Sequence, residues 1–160
     1  MTKAQEKISV SIVVAISKGR KSAIGFLPKS WTASDLATIF ERDVFPSMAW
    51  SNSRRNLNRL IWDNDGRHFS APWLEVESRL KLRPLRPWPS NSPDFDPIEN
   101  AFAWMKRFVE GRAPTTEQEL REAIQEAWLA FPVEYTDSLM ESIPFRLQSC
   151  IQLNGARTKY

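Results

Sequence analysis

Cysteine and histidine are almost missing from this chain: 160 residues contain one of each, Cys150 and His68. One thiol cannot close an internal disulfide, and without a CxxC pair or a Cys/His cluster neither a secreted disulfide framework nor a zinc site is indicated. A Ser-His-Asp or Cys-His nucleophilic site would have to use His68, no serine is singled out as a nucleophile, and Cys150 falls in the apolar pattern of a predicted helix. Long hydrophobic runs are absent too. Val10 to Ile16 is too short to span a bilayer and does not follow a signal-type amino terminus, so neither secretion nor a membrane partner is expected. There is no internal repeat and no low-complexity tract.

Charge of one sign is also scarce. A net charge of +3, from 22 Lys+Arg against 19 Asp+Glu, does not by itself identify a polyanionic partner, so the distribution of the cations carries the argument. Arg54, Arg55 and Arg59 precede a predicted strand. Arg79, Lys81 and Arg83 alternate with Leu80 and Leu82, which puts three cations on one face if that stretch is extended. A phosphate backbone could lie there; the alternative is ordinary solvated surface charge. With 42% hydrophobic and 11% aromatic residues, the chain can bury the core of one domain.

Residues 8 to 17 place Val10, Ile12, Val14 and Ile16 on one side of a strand, and Ser22 to Leu27 returns after the turn at Lys18-Gly19-Arg20-Lys21. Thr32 to Phe45 reads as a helix with Thr32 or Ser34 as N-cap, ending before Pro46. Leu60-Ile61-Trp62 is a short buried-type strand with Asp63 at its carboxyl end. Asp65-Gly66-Arg67 is a turn, Pro72 suits a helix start, and Leu80 to Leu85 can be another strand before the proline-dense loop 84 to 97. Helices are predicted from Asp96 with Gly111 as C-terminal cap, after Thr116 with Glu119 completing a capping box, and from Tyr135 with a break or bend at Pro144. This order gives an α/β fold. We expect one domain over 1–160, with 112–160 as its helical extension.

Two acids sit where chemistry would need them. Asp63 would project from the end of a central strand, and Glu99 lies in the first turn of a helix after a rigid loop, with residues 64 to 98 between them. Two carboxylates on separate rigid elements suit a divalent metal performing phosphoryl transfer. Each also has a purely structural reading. Asp63 can close an Asx turn before Asn64-Asp65-Gly66, and Asp96 with Glu99 can form a capping box. Asp94 and Asp96 read as loop and cap residues, while Trp62, Trp88 and Trp104 read as core residues rather than base-stacking platforms.

The segment Asp63-Asn64 with nearby His68, then Trp88 to Glu99 with its Trp-Pro-x-x-Ser-Pro-Asp-x-x-Pro-Ile-Glu pattern, then Ser142-Ile143-Pro144-Phe145-Arg146 through Gly155-Ala156-Arg157-Thr158-Lys159-Tyr160, resembles in order the catalytic domain of mariner-type DDE transposases. The resemblance implies an RNase H-like mixed sheet with flanking helices. It further implies a site holding Mg²⁺ or Mn²⁺, DNA as partner (transposon ends and target), room for a homodimer, and a nuclear location in a eukaryote or a cytoplasmic one otherwise. In that scheme Asp63 and Glu99 are catalytic metal ligands, and Arg54, Arg55, His68, Arg79, Lys81 and Arg83 are candidates for contact with nucleic acid.

The chain departs from that pattern at its start. The family's first catalytic aspartate has no counterpart in residues 1–9, where Glu6 is the only acid, and no helix-turn-helix region precedes it. Val13-Val14 also replaces the usual Trp-Gly. The expectation is an amino-terminally shortened copy without the first strand, in which Leu60 to Trp62 keep an unpaired edge and apolar surface is exposed. Low stability or self-association, weak metal binding and little strand cleavage follow. The competing readings are a non-catalytic DNA-binding or oligomerising remnant and a nuclease of the same fold acting on RNA.

Overall fold

Alternation in residues 8 to 17 decides the layering of the molecule. In the computed structural model, which describes residues 8–48, 58–89 and 92–155, Val13 and Ala15 pack against one apolar cluster while Val10, Ile12, Val14 and Ile16 pack against a second. A strand buried on both faces separates two helical layers. Strand β1 (Ser11–Val13) pairs antiparallel with β4 (Gly25–Leu27), and β2 (Ile16–Ser17) pairs with β3 (Arg20–Lys21) across the turn at Gly19, whose φ is +67°. A second pair is parallel: β5 (Asn58–Leu60) with β6 (Leu82–Pro84). Among the described residues no ladder joins β5 to the hairpin, and a cavity of about 430 Å³ opens between them, lined by residues 12–17 on one side and 59–63 on the other. Among the described residues the edge of β5 away from β6 carries no ladder partner.

The first helical layer begins at α1 (Ala33–Ile39). Thr32 is its N-cap in a capping box with Asp35, which satisfies two otherwise orphaned amides. The helix does not stop before Pro46. It widens into a π-helical stretch (Phe40–Val44) and ends as a short turn, α2 (Phe45–Ser47). Proline is accommodated there because the first turn of a new helical segment needs no N–H from it. Helix α3 (Ala71–Arg79) lies beside α1, and Trp73, Val76, Leu36 and Phe40 fill the space between them.

The second layer is α4 (Ile98–Arg112), α5 (Glu117–Ala130) and α6 (Val133–Gln152). Thr116 and Glu119 form the expected capping box. Gly111 is not the cap of α4; the helix runs two residues further and closes on Ala113, left-handed at φ +46°. Pro144 neither breaks nor ends α6, which is one helix through it. The hairpin is tied to α5 by Lys21, whose ammonium donates to the carbonyl oxygens of Trp128, Leu129 and Phe131. A cation at a helix carboxyl end satisfies acceptors that lack an intrahelical donor.

Candidate metal centre

Strand β5 ends at Leu60, so Asp63 stands three residues beyond the ladder, in the loop before a 3-10 turn (Gly66–Phe69), rather than on the strand's last position. The Asx reading of Asp63 is present: its Oδ1 accepts from Asp65 N–H at 3.3 Å. The carboxylate stays exposed and also lies 3.1 Å from His68 Nδ1. Asp65 spends its own carboxylate on Arg67, which holds its pKa below the ordinary value.

The capping-box reading of Glu99 is not what the structure contains. The N-cap of α4 is Pro97, and the Asp96 N–H donates to Pro93 O at 3.2 Å rather than to the Glu99 carboxylate. Asp96 instead accepts from Ile98 N–H at 3.1 Å. Glu99 is exposed at the first turn of α4, facing the cavity that Asp63 and Asp96 also line. Carboxylates at a helix amino end gain from the macrodipole, so the position suits Glu99 with no cap bond.

Asp96 feels the charge of both groups. Its pKa is raised to about 6, chiefly by burial and then by the charges of Glu99 and Asp63, against opposing contributions from the Ile98 N–H and the Arg146 guanidinium. Three carboxylates from two separate segments therefore line one cavity within electrostatic reach of Asp96. An all-oxygen donor set with unrelieved repulsion is the chemistry a hard divalent cation relieves, so Asp63, Glu99 and Asp96 fit Mg²⁺ or Mn²⁺ by donor type. Among the described residues, however, no three His, Cys, Asp or Glu side chains already stand close enough to hold an ion. Asp96 was read from sequence as a loop and cap residue; its burial beside the cavity is not revealed by spacing.

The cations do not gather as alternation predicts. Arg79 closes α3 and is paired to Glu41 at 2.6 Å, Lys81 sits in the turn with φ +54°, and only Arg83 belongs to β6. Three cations on one strand face is corrected to three residues on three kinds of backbone. Arg83 and Lys81 are exposed, as is Arg59; Arg54 and Arg55 lie outside the described residues. His68 is enclosed, its ring stacked on Trp62 with centroids 5.3 Å apart and tilted against Trp73 at 5.2 Å. Trp62, one of the three tryptophans weighed as base-stacking platforms, packs on the first cluster, and Trp104 on the second.

Short strands between two helical layers, with acids where β5 gives way to its loop and α4 begins, give an RNase H-like fold. The fold matches the catalytic domain of the Mos1 mariner transposase with a TM-score of 0.69 and 15% identity, over 94% of this chain and 82% of that one. The same domain solved with raltegravir and Mg matches at 0.69, and with raltegravir and Mn at 0.68. In sequence the chain is similar to transposases of the Tc type. It is 38% identical over 101 residues to the Tc1 transposase of Caenorhabditis elegans, covering 61% of this chain and 36% of that protein. It is 35% identical over 98 residues to the Tcb2 transposase of Caenorhabditis briggsae, covering 61% and 36%, and 28% identical over 154 residues to the Tc3 transposase of C. elegans, covering 95% and 46%. The chain thus spans less than half the length of these curated relatives. No protein-family model matches it. No helix among the described residues is long and apolar enough to cross a membrane.

Proposed function

We propose that this chain is part of a transposase catalytic unit in which Asp63 and Glu99 bind a divalent cation and act on DNA phosphodiesters during transposition. The observation that carries the reading is that Asp63 and Glu99, which the chain delivers from different elements, line one cavity together with Asp96. A bound Mg²⁺ or Mn²⁺ would supply Lewis-acid activation of the attacking oxygen and charge neutralisation at the phosphate. Asp63 and Glu99 would hold it, with Asp96 beside them, while Lys81, Arg83 and Arg59 stand exposed for the DNA backbone. The absence of a preformed three-ligand group among the described residues favours weak cation binding and impaired strand cleavage by the chain alone.

The test is nicking of a terminal-repeat duplex at increasing Mn²⁺, with Asp63→Asn and Glu99→Gln as controls. Cleavage above background that both substitutions remove supports the reading; cleavage indifferent to both refutes it. The same lack of a preformed group favours a second reading, a DNA-binding remnant without chemistry. In that case Asp63→Ala combined with Glu99→Ala leaves duplex affinity and its salt dependence unchanged.

A further inference from the structure

We propose that His68 is a positioning residue for the Asp63 carboxylate, and that Glu77 and Arg86 fix the turn from which His68 works. The proposal rests on the reading of Asp63 as a metal ligand. An exposed carboxylate in a loop samples several rotamers unless something holds it. His68 Nδ1 lies 3.1 Å from Asp63 Oδ1 and 3.3 Å from the Asp63 carbonyl oxygen. Both neighbours are acceptors, so Nδ1 carries the hydrogen and donates. Asp65 N–H donates to the same Oδ1 at 3.3 Å. Two donors converging on one carboxylate oxygen set its rotamer and assign a cation to the other oxygen.

The ring that does this cannot wander. Its side chain is 14% exposed and its ring packs against both the Trp62 and the Trp73 rings, which also touch each other. Behind it stands Glu77, an acid on α3 that is only 8% exposed and has no part in the proposed chemistry. Its Oε1 accepts from Trp73 Nε1 at 3.0 Å and from Arg86 Nη2 at 2.5 Å, and the same Arg86 nitrogen donates to the His68 carbonyl oxygen at 3.1 Å. One carboxylate oxygen thereby fixes both the indole against the imidazole and the guanidinium that holds the His68 backbone. A buried charge is costly unless its partners are arranged for it, and here the arrangement converges on a single residue beside Asp63.

The experiment uses the full chain and Mn²⁺ alone as probe, read by the electron paramagnetic resonance of the free aqua ion, with circular dichroism melts to verify folding. His68→Phe keeps an aromatic ring against the two tryptophans and removes the donor. His68→Asn returns a donor without the ring. Glu77→Gln keeps an acceptor for Trp73 and removes the charge opposite Arg86. Asp63→Asn is expected to abolish binding and His68→Phe to weaken it about tenfold, the size of effect that removing an orienting partner has on metal affinity. His68→Asn should recover part of that loss, and Glu77→Gln should fall between the parent and His68→Phe. Unchanged affinity in folded His68→Phe overturns the positioning role and leaves the metal centre standing. Binding that ignores Asp63→Asn overturns both. Should His68→Phe fail to fold, His68→Ala decides: affinity equal to the parent's overturns the proposal, and a loss of about tenfold supports it.

Discussion

Replacing Asp96 with asparagine should make this protein more stable, and more so as the pH rises. The carboxyl of Asp96 has its pKa raised from 3.8 to about 6, so between those values the folded chain keeps a proton that the unfolded chain has released. Stability then falls as pH climbs through that window, and the full penalty is present above pH 6. One pKa unit corresponds to roughly 1.4 kcal/mol, which makes the penalty about 3 kcal/mol. Asp96→Asn retains an oxygen that can accept from the Ile98 N–H, 3.1 Å away in the parent, while it removes the charge that Glu99 and Asp63 repel. Urea denaturation read by tryptophan fluorescence should show the variant more stable by about 2–3 kcal/mol near pH 7.5, with the difference shrinking toward zero near pH 4. Millimolar Mn²⁺ should narrow the gap at pH 7.5, because a bound cation stabilises the parent through the same charges. A variant no more stable than the parent at pH 7.5, or a gain that persists undiminished at pH 4, would refute the reasoning.

Gly25 sits where an added Cβ would strike the side chains of Ile39 and Val13; Gly25→Ala should therefore cost about 1–3 kcal/mol in urea melts by overpacking the contact between β4 and α1. Arg146 is 2% exposed and donates to Asp94 O, Asn100 Oδ1 and Ser142 Oγ, each at 2.8 Å. Arg146→Met, which leaves those acceptors without this donor, should lower stability by about 3 kcal/mol in the same assay and raise the midpoint of Asp96 titration followed by carbon-13 NMR.

Local patterns carried much of the fold. Thr32 and Thr116 cap helices as their sequence neighbourhoods indicate, and the alternation of residues 10 to 16 distributes side chains to two cores. Period-two reasoning failed at Arg79 to Arg83. Trp73 and Val76 already commit that stretch to a helix face, the helix consumes Arg79, and the reversal at Lys81 breaks the alternation before β6 begins. Gly111 was misread because glycine is the usual residue at a left-handed cap; here α4 continues through it, and Arg112 pairs with Glu126 of the next helix at 2.5 Å. At the site, the first-turn position of Glu99 was legible from spacing, whereas the loop position of Asp63 and the environment of Asp96 were not. Its burial and the opposing charge of Arg146 depend on residues distant in sequence, which no local window contains.

That distant contact also bears on how the carboxyl-terminal helices relate to the chemistry. Helix α6 inserts Arg146 beneath the loop that carries the acids, where its guanidinium grips the Asp94 carbonyl before Asp96 and the Asn100 side chain after Glu99. The two bonds straddle the acidic segment. Any shift of α6 along its axis would move both anchors and change the orientation of Asp96 and Glu99 relative to Asp63, which is held from the opposite helical layer by His68, Trp62 and Trp73. The two halves of the proposed metal centre are thus braced from two different cores, one per face of the sheet, and their convergence depends on how those cores are packed together rather than on either carboxylate's own surroundings. A helical portion read from sequence as an extension of the domain is in this sense a supporting wall of its site.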